Sequence, residues 1–533
     1  MSTIRLWKRV FAGAALVAGL LLASAGTSVA QAEEAHSNYV ATCATITNTF
    51  SGFPNLPNNT VTEKIRIDGV FQTLRTFVFN GPTGVDNIPI NLESGHHGLD
   101  VFSKWNTNGV QGGRDQPAHV NCVNPVLFVH GFESAGSNFA SQAMRFESNG
   151  YQPDSVMELD YDSTAAFGIH AEVNKQIDEA IATLKERTGS AKVDVIGHSE
   201  GTSVMYTYLT EGEGEEAAAR KANVGHYANL DGQNKNPGVP TLAVWAGRGT
   251  PGRSMEGAEN FTLPNATHVQ TSTSYQTFQQ VYKFFRGELP KHNIVRQKET
   301  IQLAGKALEF PQNSGLAGDT VQVWPVDGNG VRTTATPLAS FLITDPTTGG
   351  GAWGPVTAKP GVRYEFALVK PPLKTIHVYM EPFVRSNYAI RLLGSLPIET
   401  HVGTSPKSSG VLMIRYEEYW GNEPGQNDEL LANGLNLCTA ALCPVSKQVN
   451  AYFAINWEGK EETTLNEDPV LSGLPFIQAA QVYIPGSAPP NATVSYQLKS
   501  RNGGKLRTLK IPNWEGTTDQ PTIYWDDFEK LKF

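Results

Sequence analysis

Val193-Asp194-Val195-Ile196-Gly197-His198-Ser199-Glu200-Gly201 reads as a short apolar strand that runs through a tight turn into a helix carrying Val204, Tyr208 and Leu209. The turn has the pattern G-x-S-x-G. Small residues two positions either side of the serine let strand and helix approach each other, and the sharp turn lifts the hydroxyl above the sheet edge at a helix N-terminus. The bare pattern arises often by chance. Its placement between an apolar strand and a helix is what makes Ser199 a candidate nucleophile.

The segments around this turn repeat the same alternation. Val126-Leu127-Phe128-Val129 is a continuous apolar run, as expected of a strand covered on both faces. A helical stretch over Asn138–Ser148 and a strand over Ser155–Asp160 follow. Val173, Ile177, Ile181 and Leu184 then recur at helical spacing within Ala171–Leu184. Beyond Ser199 come strands near Val224–Leu230 and Thr241–Ala246, and a closing helix with Tyr275, Phe278, Tyr282 and Phe285 on one face. Alternating strands and helices predict an α/β fold, a mostly parallel sheet with helices on both faces.

A serine hydroxyl needs a base to take its proton, and around such a turn the chain order is serine, acid, histidine. Five histidines follow Ser199: His226, His268, His292, His377 and His401. His268 lies on a loop before the last amphipathic helix, where the base is delivered; His226 sits inside a strand and reads as structural. Asp231 is the single aspartate between Ser199 and His268, and it ends the strand Val224–Leu230. Its expected role is to fix the imidazole tautomer and stabilise the imidazolium. Glu256 and Glu259 are the fallback acids. His130-Gly131-Phe132 follows Val129 directly, so the amides of Phe132 and of Glu200 are the expected oxyanion donors. This chemistry calls for no metal and no organic cofactor.

The N-terminus reads as an export signal over residues 1–32. Arg5, Lys8 and Arg9 precede an apolar stretch from Val10 to about Ala25, and Ala30-Gln31-Ala32 fits a cleavage site. The mature protein is expected to be secreted and extracellular. No later stretch approaches the roughly 20 apolar residues needed to cross a bilayer. The four cysteines pair most simply as Cys43–Cys122 and Cys438–Cys443 in an oxidising compartment, free buried thiols being the alternative. A net charge of −9 argues against nucleic acid as partner.

Residues 33–120 form a polar, turn-rich leader with strand-like runs at Lys64–Val70 and Leu74–Asn80. After about Asn293 helical periodicity stops. Short alternating runs such as Thr320–Val323 and Val494–Leu498 follow, with hairpin turns expected at Asp327–Gly330 and Asn502–Gly504 and a long loop over Thr347–Pro355. Pro371-Pro372 reads as a boundary between two β-sandwich domains, 293–372 and 373–533, a single larger β domain being the alternative. The tryptophans of this half (Trp324, Trp353, Trp420, Trp457, Trp514 and Trp525) are expected mainly in the sandwich core. Thr164–His170 and Arg248–Glu259 are the segments that could form a lid, and the acidic loop Glu417–Leu431 is expected to be solvated rather than to bind calcium.

Val129-His-Gly-Phe-Glu-Ser-Ala-Gly-Ser-Asn138, Asp160-Tyr-Asp162 and Gly197-His-Ser-Glu-Gly201 together resemble secreted lipases of the α/β-hydrolase superfamily. A catalytic domain (33–292, leader included) followed by a β-rich half is similar to the archaeal long-chain lipase and its bacterial relatives, in which the acid also follows the earlier strand. The resemblance is specific over about 120–290 and only architectural over 293–533. It implies hydrolysis of acylglycerols or other acyl esters, with transient contact at a lipid interface and the β domains shaping the lipid site. A short-chain carboxylesterase, a polyester depolymerase and a lipid acyltransferase use the same chemistry. A lipid- or surface-binding protein on an inert hydrolase scaffold is the alternative of another class.

Overall fold

The computed structural model describes residues 34–92, 95–164, 170–212, 214–403, 405–501 and 504–527. The export signal and residues 165–169 of the first lid segment therefore lie outside the described residues, as do Asn502 and Gly503 of the expected hairpin turn. The chain divides into two compact units: Thr47–Asp86 and Asp100–Pro117 with the residues up to Tyr39, and Val40–Ile46, Asn87–Leu99 and everything from Ala118 onward.

In the larger unit six strands form one parallel sheet: β1 (Val126–Val129), β2 (Val156–Leu159), β3 (Val193–His198), β4 (Val224–Leu230), β5 (Thr241–Ala246) and β6 (Glu259–Leu263). Their order across the sheet is β6-β5-β4-β3-β1-β2. The sheet is buried on both faces because side chains alternate along each strand. Leu127 and Val129 pack under helices α2 (His170–Thr188) and α3 (Glu200–Thr210). Val126 and Phe128 point the other way, to α1 (Ala140–Ser148) and the closing helix. The run of four apolar residues thus serves two cores.

The structure adds α4 (Glu215–Asn223) and β6, neither marked by a strong pattern. α5 (Gln270–Thr273) is a single turn that carries the chain from the His268 loop into α6 (Tyr275–Arg286). α6 starts where Ser274 Oγ accepts from the Thr277 amide at 3.1 Å, and stops at Gly287, whose φ of 72° is left-handed. Phe278, Val281, Tyr282 and Phe285 are its buried face, with Tyr275 only partly buried.

From Ile301 the larger unit is β-rich. Its main sheet has eight strands, in the order Ala339–Leu342, Thr320–Val326, Arg363–Val369, Thr375–Met380, Asp519–Trp525, Val411–Arg415, Ala451–Ile455 and Ile477–Gln481. Pro371-Pro372 lies in the hairpin between Arg363–Val369 and Thr375–Met380, so this one sheet draws strands from both sides of it. Two four-stranded sheets accompany it, and Ile301–Glu309 pairs in parallel with Asn387–Gly394. Thr493–Lys499 and Arg507–Pro512 pair antiparallel around the expected turn at Asn502–Gly504. The loop expected over Thr347–Pro355 is shorter, since the strand Ala352–Ala358 begins within it. Trp324, Trp353, Trp420 and Trp525 are buried.

The leader is mostly strand, joined by short turns. The two expected runs are longer, Asn59–Ile67 and Val70–Phe79, and pair as a hairpin. Phe50, Phe53, Val61, Phe79 and Trp105 form the core of the smaller unit. Cys43 and Cys122, both in the larger unit, are disulfide-bonded. The second expected pair is not: Cys438 and Cys443 are free, buried thiols, and burial raises the Cys443 thiol well above its ordinary range.

Candidate active site

Ser199 follows the last residue of β3 and holds φ 54° and ψ −122°, a conformation outside the regions that side-chain-bearing residues ordinarily adopt. Its amide donates to the Leu230 carbonyl at 3.0 Å and its carbonyl accepts from the Thr202 amide at 3.0 Å, so both ends of the turn are fixed. A side chain on Gly201 would collide with the Val129 and His130 carbonyls. A Cβ on Gly131 would lie 2.9 Å from the Ser199 Cβ. The glycines therefore let the β1 and β3 loops close on each other.

Asp231 leaves β4 in the left-handed region, φ 49°. Its Oδ2 lies 2.7 Å from His268 Nδ1, while Oδ1 accepts from the Ala246 amide at 3.1 Å and from Arg253 at 2.9 Å. Burial alone would raise this carboxyl. The hydrogen bonds from His268 and Ala246 and the Arg253 charge outweigh it and hold it below the ordinary carboxylate range. Glu256 and Glu259, the fallback acids, are exposed.

His268 follows β6 on a short loop. Ser199, His268 and Phe132 line one cleft together with His198, Asn450 and Phe476. Glu200 is the first residue of α3. The other histidines lie elsewhere in the molecule: His226 pairs with Asp194 at 2.9 Å, His377 is buried between Glu365 and Asp519, His401 meets Asp468 at 2.6 Å, and His292 is exposed.

Further residues frame the cleft that local sequence patterns do not single out. His198 Nε2 donates to the His268 carbonyl at 2.9 Å. Burial and the neighbouring His268 push His198 down to about 3, so it stays neutral there. His130 donates from Nδ1 to the Gly131 carbonyl at 2.8 Å, and its ring stacks on Tyr161 with centroids 4.4 Å apart. Asn313, fully buried and from the β half, places its amide nitrogen 3.2 Å from His130 Nε2, 2.8 Å from the Ser134 carbonyl and 2.9 Å from the Tyr161 carbonyl. The Phe132 loop is thus braced by a residue nearly two hundred positions away.

The His268 loop is braced in the same way. Glu418 accepts from the Thr267 hydroxyl at 2.5 Å and the Val269 amide at 3.2 Å, and Glu417 accepts from Gln270 at 2.6 Å. Glu417, Glu418 and Asp428 belong to the loop expected to be solvated; they are buried instead. Arg415 pairs with Glu417 at 2.6 Å and with Asp428 at 3.2 Å, and Arg501 pairs with both carboxylates at 2.7 Å. Among the described residues no group of three or more His, Cys, Asp or Glu side chains is arranged to hold a metal ion.

The cleft adjoins a second cavity and shares Glu133, Ser134, Asn138, Asn450 and Phe476 with it. Most of its wall is β half and apolar, with Phe310, Ile376, Leu393, Leu412, Ile414 and Phe453 among the lining residues. An imidazole held by a carboxylate, beside a serine at a helix N-terminus and next to an apolar cavity, is an arrangement suited to acyl transfer.

The sheet, the strained serine turn and the helices on both faces define an α/β hydrolase. Residues 123–235 match the family model for class 2 lipases, residues 299–397 the lipase C-terminal domain, and residues 397–529 a further C-terminal domain model. The protein is a lipase-like ester hydrolase with a β-rich C-terminal half. Similar solved structures include a Listeria innocua gene product (12% identity, 32% of this chain and 97% of that one, TM-score 0.25). A CIB-like hydrolase from Thermoplasma acidophilum matches at 15% identity over 36% of this chain and 94% of its own, with a TM-score of 0.24. Phospholipase PlaB of Legionella pneumophila matches at 10% identity over 75% of this chain and 93% of its own, with a TM-score of 0.20.

Proposed function

We propose that this protein is an exported serine lipase that hydrolyses long-chain acyl esters, acylglycerols foremost. The observation that carries the reading is the predominantly apolar cavity beside the Ser199 cleft, whose lining suits a hydrocarbon chain. The Asp231–His268 hydrogen bond supports the same chemistry.

In this reading His268 Nε2 takes the Ser199 proton as the oxygen attacks the ester carbonyl. The Phe132 and Glu200 amides hold the oxyanion, each donor contributing about 2.7–4 kcal/mol to the transition state. The alcohol leaves with the proton from His268, and the acyl group stays on Ser199. Water, deprotonated by the same imidazole, attacks the acyl-enzyme, the acid departs, and the proton returns to Ser199. Asp231 keeps the imidazole in the tautomer that presents Nε2. The charged and apolar stretches before Ala32 support export and cleavage, which N-terminal sequencing of the protein from culture medium tests.

Hydrolysis of p-nitrophenyl esters from acetyl to palmitoyl, with the mature protein and Ser199→Ala, tests the function. The reading expects activity rising with chain length and a loss of about 10⁴-fold or more in the variant. Serine-dependent activity confined to short chains would replace the lipase reading with an esterase. Folded wild-type protein inactive on every chain length would overturn it.

A further inference from the structure

The Arg253 guanidinium sits on the carboxylate that holds His268. One nitrogen lies 2.9 Å from Asp231 Oδ1, another donates to the Gly232 carbonyl, and the guanidinium carbon lies over the Trp245 ring, 4.3 Å from its centroid. Trp245 is fully buried and its indole N–H donates to Asn260 at 2.9 Å, so the platform under the guanidinium is itself fixed. Met255, two residues on, is buried against Trp245. The segment 248–259 is therefore anchored at Arg253 rather than free to act as a lid along its whole length.

From this geometry we infer that Arg253 is a positioning residue for the Asp231–His268 pair, and that it sets the low-pH limit of the reaction. The inference rests on the serine-hydrolase reading above. Asp231 has two oxygens with divided duties: Oδ2 faces His268 Nδ1, and Oδ1 is occupied by Arg253 and the Ala246 amide. A guanidinium makes this arrangement rigid, because it is planar, permanently charged and bonded to two acceptors. It also shares the carboxylate's charge. An imidazolium beside Asp231 is consequently stabilised less than it would be beside an unshared carboxylate.

The other charged or titratable groups around the pair are held neutral or engaged with other partners, and Glu133, which lines the same cleft, has its carboxyl raised by burial. His198, whose ring centroid lies 4.7 Å from that of His268, is held neutral. Glu418 accepts from the Val269 amide, and Glu417 is paired with Arg415 and Arg501. Arg248 is engaged with Glu423 at 3.2 Å and stacked over Trp420. Arg253 is the cation that touches Asp231 itself.

The test is the pH profile of kcat/KM on p-nitrophenyl butyrate between pH 4 and 9 for the full-length mature protein, Arg253→Met and Arg253→Lys. Thermal melts confirm folding, and Ser199→Ala serves as control. The acid limb of Arg253→Met moves to higher pH by about half a unit or more, because the imidazolium then faces an unshared carboxylate. Arg253→Lys keeps the charge and loses the fork, so its acid limb stays near wild type while the plateau falls. Superimposable acid limbs in wild type and Arg253→Met, or a shift to lower pH, would overturn the inference. If Arg253→Met does not fold, an acid limb in Arg253→Lys displaced as far as the Met variant was expected to move overturns it as well. Activity surviving in Ser199→Ala would instead overturn the underlying reading, so the two failures are distinct.

Discussion

Glu418 accepts the Val269 amide proton at 3.2 Å, so a carboxylate of the β half fixes the backbone immediately after His268. Its other oxygen takes the Thr267 hydroxyl, on the opposite side of the same histidine. Replacing Glu418 by Ala frees both flanks of the loop. The expected result is a fall in kcat of about tenfold or more on p-nitrophenyl butyrate, with KM little changed, since in the proposed reaction misplacement of His268 acts on the chemical step. Glu418→Gln keeps one acceptor and falls between. Steady-state kinetics with the three proteins checks this, and an unchanged kcat in Glu418→Ala rejects it.

Asn313 holds the loop on the far side of the cleft and has a left-handed φ of 56°. Asn313→Gly removes the buried amide but tolerates the backbone, and should lose about 1–3 kcal/mol of stability. Asn313→Ala should lose about 1–2 kcal/mol more, because alanine disfavours that φ. Urea unfolding of the two variants separates the terms, and equal stabilities would show that the backbone carries none of the effect.

Acid should weaken the fold through His130 and His198. Burial pushes His130 down to about 4 and His198 to about 3, against an ordinary value of 6.5. Between these values and 6.5 the unfolded chain binds protons that the folded chain refuses. The stabilisation is therefore complete above 6.5 and is lost as pH falls towards 4, at up to about 1.4 kcal/mol per pH unit for each site. Tm measured from pH 7.5 to 4.5 should drop less steeply in His130→Gln than in wild type. Parallel slopes would count against this account.

The thiol inventory gives a direct chemical check. Cys438 and Cys443 are free and buried, while Cys43 and Cys122 are joined across 79 residues. Thiol titration should find two reactive groups per chain after denaturation without reductant and none in the native protein. Reduction should lower the stability by about 4 kcal/mol from the loop it opens. A count of zero after denaturation would mean that the second pair is bonded.

The sheet and the turn at Ser199 were legible because their signals are local. The run Val126–Val129 and the glycines around Ser199 are dictated by burial and close approach within a few residues. Asp231 could be read as the single aspartate in its interval, and His268 by its place before α6. Arg253 lay within a segment whose only visible character was glycine and charge, so its contact with Asp231 left no mark in the pattern. Asn313, Glu417 and Glu418 act across more than a hundred residues, where no periodicity reaches. The acidic loop Glu417–Leu431 is exposed at its tip as expected, but its ends are buried for the same reason: their partners, Arg415 and Arg501, are placed beside them by the fold rather than by sequence proximity alone. In the leader the strand-like runs at Lys64–Val70 and Leu74–Asn80 were legible, but not their full length or their pairing, because these strands are amphipathic and polar.

The strand Asp519–Trp525 lies in the middle of the eight-stranded sheet, between Thr375–Met380 and the strand Val411–Arg415 that leads into Glu417 and Glu418. A chain still being synthesised has already delivered Ser199, Asp231 and His268, yet lacks the strand that seats the brace behind them. Completion of the cleft is thus timed by the arrival of a late segment.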